Sequence, residues 1–349
     1  MADAYQFHHI VRLTVETEDQ VCREYFRQEY APYLLSATPP SSGPQAPLPL
    51  VRLQCWHGGW RNAPFAGLPH RHKMLARWVY RVDFTSHGIT IWAQGNRWAI
   101  PMIHHMLVHP ALRMLAARQG FLMLHAGAVA YQGRSLILTG SGGVGKTTTT
   151  SLLLARGGSA WALHADDYVF LSPAERRSYA YLTRAHVYWP LLTWVPELKK
   201  RLRWPERLRA RLLWLLRRWS GERLKWPVRV SARRLWPQHP YQAQAHIGAV
   251  IWLARGANTH AILRPMQPSA REIEQLLDIN FFEARHFLAL LAAQGEDARP
   301  RIAAWREQEG VLLQELATQA PWYRLHLPTR AHDSGFVPKL QSLLQREAS

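Results

Sequence analysis

Cysteine is nearly absent. Cys22 and Cys55 are the two in 349 residues, which excludes a disulfide framework, and neither has a C-x-x-C partner at metal-ligand spacing. Both are expected to be reduced, buried thiols. Long apolar runs are also missing: Ile247 to Ala254 is among the longest, far short of the ~20 residues a membrane-spanning helix needs. Met1-Ala-Asp-Ala-Tyr carries neither the basic residues nor the apolar segment of a secretory signal, so the expected location is the cytoplasm. Acidic residues are scarce, with 24 Asp and Glu against 43 Lys and Arg, a formal net charge of +19. Histidine is plentiful at 18. Its pairs, His8-His9, His70-Arg-His72 and His104-His105, have no second cluster at ligand spacing, so they do not argue for a metal site.

The hydrophobic fraction of 48% over this length supports two or three globular domains. Residues 1–102 read as β-rich. Ile10-Val-Arg-Leu-Thr-Val, Leu50-Val-Arg-Leu-Gln-Cys, Trp78-Val-Tyr-Arg-Val-Asp-Phe and Ile89-Thr-Ile-Trp-Ala alternate or run apolar, with β-branched and aromatic residues. Between the first two, the proline-rich stretch from Ser36 to Pro47 reads as a surface loop. An amphipathic helix is expected after Pro110, stopped by Gly120.

The densest signal follows. Leu122 to Tyr131 reads as one strand carrying His125, Gln132-Gly133 as a turn, and Ser135-Leu-Ile-Leu-Thr as a strand that feeds Gly140-Ser-Gly-Gly-Val-Gly-Lys-Thr-Thr148 and then a helix to about Arg156. This matches G-x-x-x-x-G-K-[ST]. Successive glycines let backbone N–H groups curl around phosphate oxygens, and the helix N-terminus adds its free N–H groups and positive dipole end. The candidate nucleotide contacts are Gly140, Ser141, Gly142, Gly143, Val144, Gly145, Lys146, Thr147 and Thr148. Lys146 neutralises the outer phosphates in such a loop, and the Thr147 hydroxyl holds Mg²⁺. Gly157-Gly158 ends the helix, and Ala160 to Ala165 forms a short strand running into Asp166-Asp167. A nucleotide site needs a carboxylate for Mg²⁺ or for a substrate hydroxyl at such a strand end.

Between Glu197 and Leu235 there are 14 Lys and Arg against three Glu, an excess of 11 positive charges. Within it Leu208, Leu212, Leu215, Leu216 and Trp219 repeat at helical spacing, with Arg207, Arg209, Arg211, Arg217 and Arg218 between them. Three readings compete: a solvated cationic face on a core-packed helix, a docking surface for an acidic peptide or protein, and attachment to an anionic membrane. Burial explains the leucines, whereas the one-sided charge favours docking. Nucleic acid is not expected, because no aromatic platform or recognition-helix pattern stands out. Further on, Ala245 to Ala254 reads as a buried strand. Ser269-Ala-Arg-Glu272 is a capping box, helices are expected over Glu283 to Ala293 and Ile302 to Thr318, Trp322 to Leu327 is a late strand, and Pro338 introduces a last helix.

The order His125-Ala-Gly, strand, glycine turn, Gly140 to Thr147, helix, Gly157, Ala165-Asp166-Asp167 resembles the catalytic domain of HPr kinase/phosphorylase. It is closer to that family's shorter serine-kinase-like relatives found with ribosomally made, modified peptides. The specific match covers about 120–172. The resemblance implies an α/β, PEP-carboxykinase-like P-loop fold with a mixed sheet over 103–349, including the basic segment 196–235, and phosphoryl transfer from ATP, with Mg²⁺, to a serine hydroxyl. It implies that His125, Asp166 and Asp167 are catalytic. One of the acid pair would be the base that takes the hydroxyl proton, and the other would hold Mg²⁺ or orient His125, which makes Thr147 and Asp167 the candidate metal ligands. Gly142 stands where that family usually has serine, and the second signature that accompanies its phosphorylase activity is not found, so the implied direction is the kinase one.

The loop also resembles that of partition-type switch ATPases, but Ser141 occupies the place of their signature lysine and ~130 residues precede the loop. A third class is a non-catalytic module that binds ATP and presents a precursor peptide. The sequence favours an ATP- and Mg²⁺-dependent kinase acting on a Ser or Thr hydroxyl of a peptide or small protein, with the region from Lys199 to Arg234 guiding an acidic acceptor. It leaves self-association open.

Overall fold

The computed structural model describes residues 2–35, 48–72, 75–86, 88–221, 226–295, 298–328 and 335–346. The expected loop from Ser36 to Pro47, and Glu222, Arg223 and Lys225 of the basic segment, lie outside the described residues. The protein is mixed α/β and divides into two compact units, 1–123 with 280–312, and 124–279 with 313–349. The divide falls after Met123 rather than at 102, because the helical stretch that follows residue 100 packs on the first sheet.

The first unit is built on strands β1 (Ala2–Phe7), β2 (Val11–Glu16), β3 (Leu50–His57), β4 (Leu68–His72), β5 (Ala76–Phe84) and β6 (Gly88–Gly95), in the order β1-β2-β3-β6-β5-β4. β3 is parallel to both neighbours, and the other pairs are antiparallel. Helix α1 (Gln20–Glu29) has no apolar run to announce it. Its first turn is fixed by Asp19, whose side chain accepts from the Cys22 amide at 2.9 Å. Cys22 and Cys55 are buried free thiols with sulfurs 3.1 Å apart, and the hydrogen bond between them, with burial, pushes the Cys55 thiol up.

Helix α2 (Ile100–Ile103) passes through a π-type turn (His104–Val108) into α3 (His109–Arg118), and Gly120 with φ 79° closes it. The expected amphipathic helix is instead enclosed on all sides: His109 to Ala117 are all buried. Arg113 can be interior because Glu309 meets it there. Its Nε donates to Oε1 at 2.6 Å, a second guanidinium nitrogen donates to Oε2, and a third donates to the Asn280 carbonyl at 2.5 Å. Asn280 Nδ2 and Trp305 Nε1 also donate to Glu309, at 3.0 and 2.8 Å, and the guanidinium lies 4.7 Å from the Phe281 and Trp305 ring centres.

The second unit begins at the last residue of the short strand β7 (Leu122–Leu124) and continues through β8 (Gly127–Tyr131), β9 (Arg134–Thr139), α4 (Lys146–Arg156), β10 (Trp161–Ala165), β11 (Val169–Ser172), β12 (Arg177–Tyr179) and β13 (Arg184–Val187). There follow α5 (Trp189–Trp194), α6 (Glu197–Arg201), α7 (Trp204–Trp219), β14 (Val228–Ser231), α8 (Ala232–Leu235), β15 (Gln244–Gly256) and β16 (Ile262–Met266). After α9 (Ala270–Ala293) and α10 (Arg299–Gln319), which cross between the units along the chain, β17 (Trp322–Pro328) and α11 (Phe336–Arg346) complete it. The helix expected over Glu283 to Ala293 is the tail of α9, a single helix opened by the Ser269–Glu272 box, with Ser269 N donating to Glu272 at 2.8 Å. The sheet is mixed: β9 pairs antiparallel with β8 and parallel with β15, and β15 pairs parallel with β17. The expected strand from Leu122 to Tyr131 is two strands, and His125 stands in the break between them.

The leucine stripe of α7 faces outward rather than into the core. Leu208, Leu212, Leu215, Leu216 and Trp219 are exposed at 43%, 51%, 48%, 46% and 92%. The inward face is supplied by Ala210, which is buried, and by Leu213, which packs on the core with the half-buried Trp214 beside it. At about 100° per residue this leaves the five apolar residues on the opposite side of the cylinder. Among the described residues no helix is long and apolar enough to cross a membrane.

Candidate functional site

Topology explains why the three sequence signals meet. β8 is antiparallel to both β9 and β10, so those two run in the same direction on either side of it. The loops that leave β9 and β10 therefore emerge at the sheet end where β8 begins. The glycine loop, Asp166-Asp167 and His125 are brought to one rim, as ligand-binding loops are at the carboxyl ends of α/β strands. The Ala126 amide ties that rim together by donating to the Asp167 carbonyl at 3.1 Å.

The glycine loop turns through backbone conformations that L side chains rarely adopt. Gly140 has φ 137° and Gly145, which caps α4, has φ 118°. A Cβ on Gly140 would lie 2.8 Å from the Leu253 carbonyl of β15, whereas one on Gly142 or Gly143 meets nothing within 4 Å. The loop is thus close-packed at its base and open at its crest. Lys146 is buried, with Nζ donating to the Gly140 carbonyl at 2.9 Å and the Ser141 carbonyl at 3.4 Å. The ammonium is held inside the curl of the loop, where an anion would meet both it and the α4 amides.

Thr147, in the first turn of α4, donates its hydroxyl to Asp166, and the His186 amide donates to Asp166 Oδ2 at 3.4 Å. Burial, reinforced by the charge of Asp167, outweighs these two donors and pushes Asp166 up to about 7. Asp167 faces the other way: its Oδ1 lies 3.4 Å from His125 Nδ1, and the His125 ring packs on Tyr168 at 5.2 Å. The resemblance grouped Thr147 with Asp167, whereas the structure puts Thr147 against Asp166 and pairs Asp167 with His125. Beneath the rim a cavity of about 30 Å³ is lined by Thr147, Asp166 and His186 together with leucines of α4, β10 and α6, room for about one or two waters.

Sequence reasoning missed three neighbours, Arg255, Tyr188 and His186. Arg255, at the end of β15, donates to the Val144 carbonyl and to the Pro328 carbonyl, each at 3.1 Å, and so braces the glycine loop. The available signal was a cation closing a buried apolar strand. Tyr188 is pushed up to about 12 by burial and by Asp167, against the pull of Arg217 and Arg229. Arg217 stands 5.7 Å from the Tyr188 ring centre, and Arg229 Nε donates to His186 Nε2 at 3.2 Å. Part of the basic segment therefore borders the acid pair. Among the described residues from Lys199 to Arg234, the inward-turned Arg217 and Arg229 reach the rim, whereas Arg207, Arg209, Arg211 and Arg218 stay exposed.

No protein-family model matches this chain, and no curated protein matches it in sequence. What the rim can do follows from its own groups: amides and an ammonium for an anion, a hydroxyl and carboxylate for a divalent cation, and an imidazole–carboxylate couple for a proton.

Proposed function

We propose that the chain is an ATP- and Mg²⁺-dependent kinase, on a PEP-carboxykinase-like P-loop fold, that transfers the γ-phosphoryl group to a Ser or Thr hydroxyl of a peptide or small protein in the cytoplasm. The observation that carries this is the placement of Lys146 and the Thr147–Asp166 contact on one rim with the His125–Asp167 couple. Phosphoryl transfer asks for that set: an anion cradle, a metal site, and a proton acceptor near the nucleophile. Mg²⁺, when bound, neutralises charge on the transferred group.

The chain's own residues divide the work by position. The amides from Gly140 to Gly145 and the Lys146 ammonium hold the phosphates, and Arg255 keeps the loop in shape. Thr147 and Asp166 supply the metal ligands. The His125–Asp167 couple accepts the proton of the acceptor hydroxyl as that oxygen bonds to phosphorus, the bond to the ADP oxygen breaks, and ADP leaves. Arg217 and Arg229 steer an acidic acceptor toward the rim. Arg217→Gln with Arg229→Gln is expected to raise the acceptor KM roughly tenfold with little change in ATP affinity; an unchanged KM assigns these arginines to packing alone.

Transfer of ³²P from γ-labelled ATP tests the reading. Label on Ser or Thr of an acidic peptide or protein supports the kinase. Release to water points to a switch ATPase, and ATP binding without turnover points to a presenting module.

A further inference from the structure

Among the described residues, α7 is held from one side. Ala210 and Leu213 fix it to the core, and Arg217 turns inward to Tyr188, which leaves a second apolar face pointing outward. That face is a band of leucines, Leu208, Leu212, Leu215 and Leu216, with Trp204 at one end and Trp219 at the other, exposed at 70% and 92%. On a helical projection at about 100° per residue the band spans roughly 120°, with Arg207, Arg211 and Arg218 along one edge and Arg209 along the other. All four arginines are exposed. Glu206, the one acidic residue of the helix, is occupied by Arg234.

We infer that this face of α7 seats the protein on an anionic lipid bilayer, with the helix lying in the plane of the interface. A convex ridge needs a surface that yields to it, and a bilayer does so by admitting an apolar helix face about 5–10 Å deep. Tryptophans at both ends suit the headgroup level, where their rings are half solvated. Arginines along both edges reach lipid phosphates on either side of the inserted band. Two copies of this face would oppose eight arginines, which argues against self-pairing. The formal charge of +19 favours approach to a negative surface. This inference does not depend on the phosphoryl-transfer reading.

Flotation of the full chain with vesicles tests it. Binding to vesicles of phosphatidylcholine containing about a third phosphatidylglycerol is expected at physiological salt, and binding to pure phosphatidylcholine should be at least about tenfold weaker. The outward residues can be changed without disturbing the core. Leu212→Ser with Leu215→Ser and Trp219→Ser, which leaves the charge unaltered, should weaken binding to the mixed vesicles at least about tenfold. Arg207→Gln with Arg211→Gln and Arg218→Gln should do the same and remove most of the salt dependence. No binding by the unmodified protein overturns the inference. So does full binding by the serine variant, which would reduce the attraction to unspecific charge. A dimer that the serine variant converts to monomer also overturns it, by showing that a second copy occupies the face.

Discussion

Replacing Asp166 by asparagine is expected to lower phosphoryl transfer about 10²–10⁴-fold while leaving the glycine loop able to hold phosphates. The substitution keeps the shape of the side chain and its contact with Thr147, but removes the negative charge that a divalent cation requires. It should also make the metal-free protein more stable at high pH. The direction follows from the raised carboxyl, about 7 in the folded chain against 3.8 as its ordinary value. Between those two values the folded state binds the proton that the unfolded chain has released, so stability falls as pH rises through that window and stays lower above 7. The penalty at pH 8 is on the order of 2–4 kcal/mol, and asparagine does not incur it. Thermal melts should therefore show the variant above the parent at pH 8, with the gap closing toward pH 4. A variant that transfers phosphate normally would remove Asp166 from the chemistry. One that melts lower at pH 8 would show that its charge is stabilised by the fold, contrary to the burial described.

The second large effect lies in the first unit. Glu309→Ala is expected to cost about 3–5 kcal/mol of stability. The Arg113 guanidinium, 2% exposed, would keep the Asn280 carbonyl and the faces of Phe281 and Trp305 but lose its carboxylate, and the Trp305 and Asn280 N–H groups would lose their acceptor. Burying an unmatched charge is what makes the single change expensive. Arg113→Met combined with Glu309→Leu, which removes both charges, should be milder than either single change to alanine. Urea denaturation followed by tryptophan fluorescence measures all of these. A loss below about 1 kcal/mol for Glu309→Ala would mean that water or another group reaches Arg113 once the glutamate is gone.

Local rules made much of the site readable. The glycine loop is legible because cradling a phosphate would require a fixed spacing over eight residues from Gly140 to Thr147, and the acid pair because it closes a short apolar strand. His125 is picked out by its strand beside the loop and by the resemblance, but its place in a break between β7 and β8 is not legible, since the flanking residues Leu124 and Ala126 through Ala130 read as one apolar run. The partition of the acid pair also needed three dimensions. Adjacent residues at a strand end point to opposite sides, and only the position of α4 decides which of them meets Thr147.

The rotation of α7 shows the limit most clearly. Its sequence carries two apolar faces, Ala210 with Leu213 and Trp214, and the broader band of four leucines with Trp219. Periodicity reports that both exist, but the tertiary packing of the narrower one chose the inward side. The same rotation turned Arg217, alone among the five arginines flagged on this helix, toward Tyr188 and the acid pair. Arg113 inside an enclosed helix was unreadable for a related reason: its partner Glu309 lies 196 residues away.

Titration calorimetry with Mg·ATP tests most directly whether the loop beginning at Gly140 holds a nucleoside triphosphate. The unmodified chain should bind one equivalent, and Lys146→Ala should weaken that binding at least about 100-fold, since the ammonium held inside the loop is its one formal positive charge. Absence of binding by the unmodified chain, or equal binding by Lys146→Ala, would contradict the account.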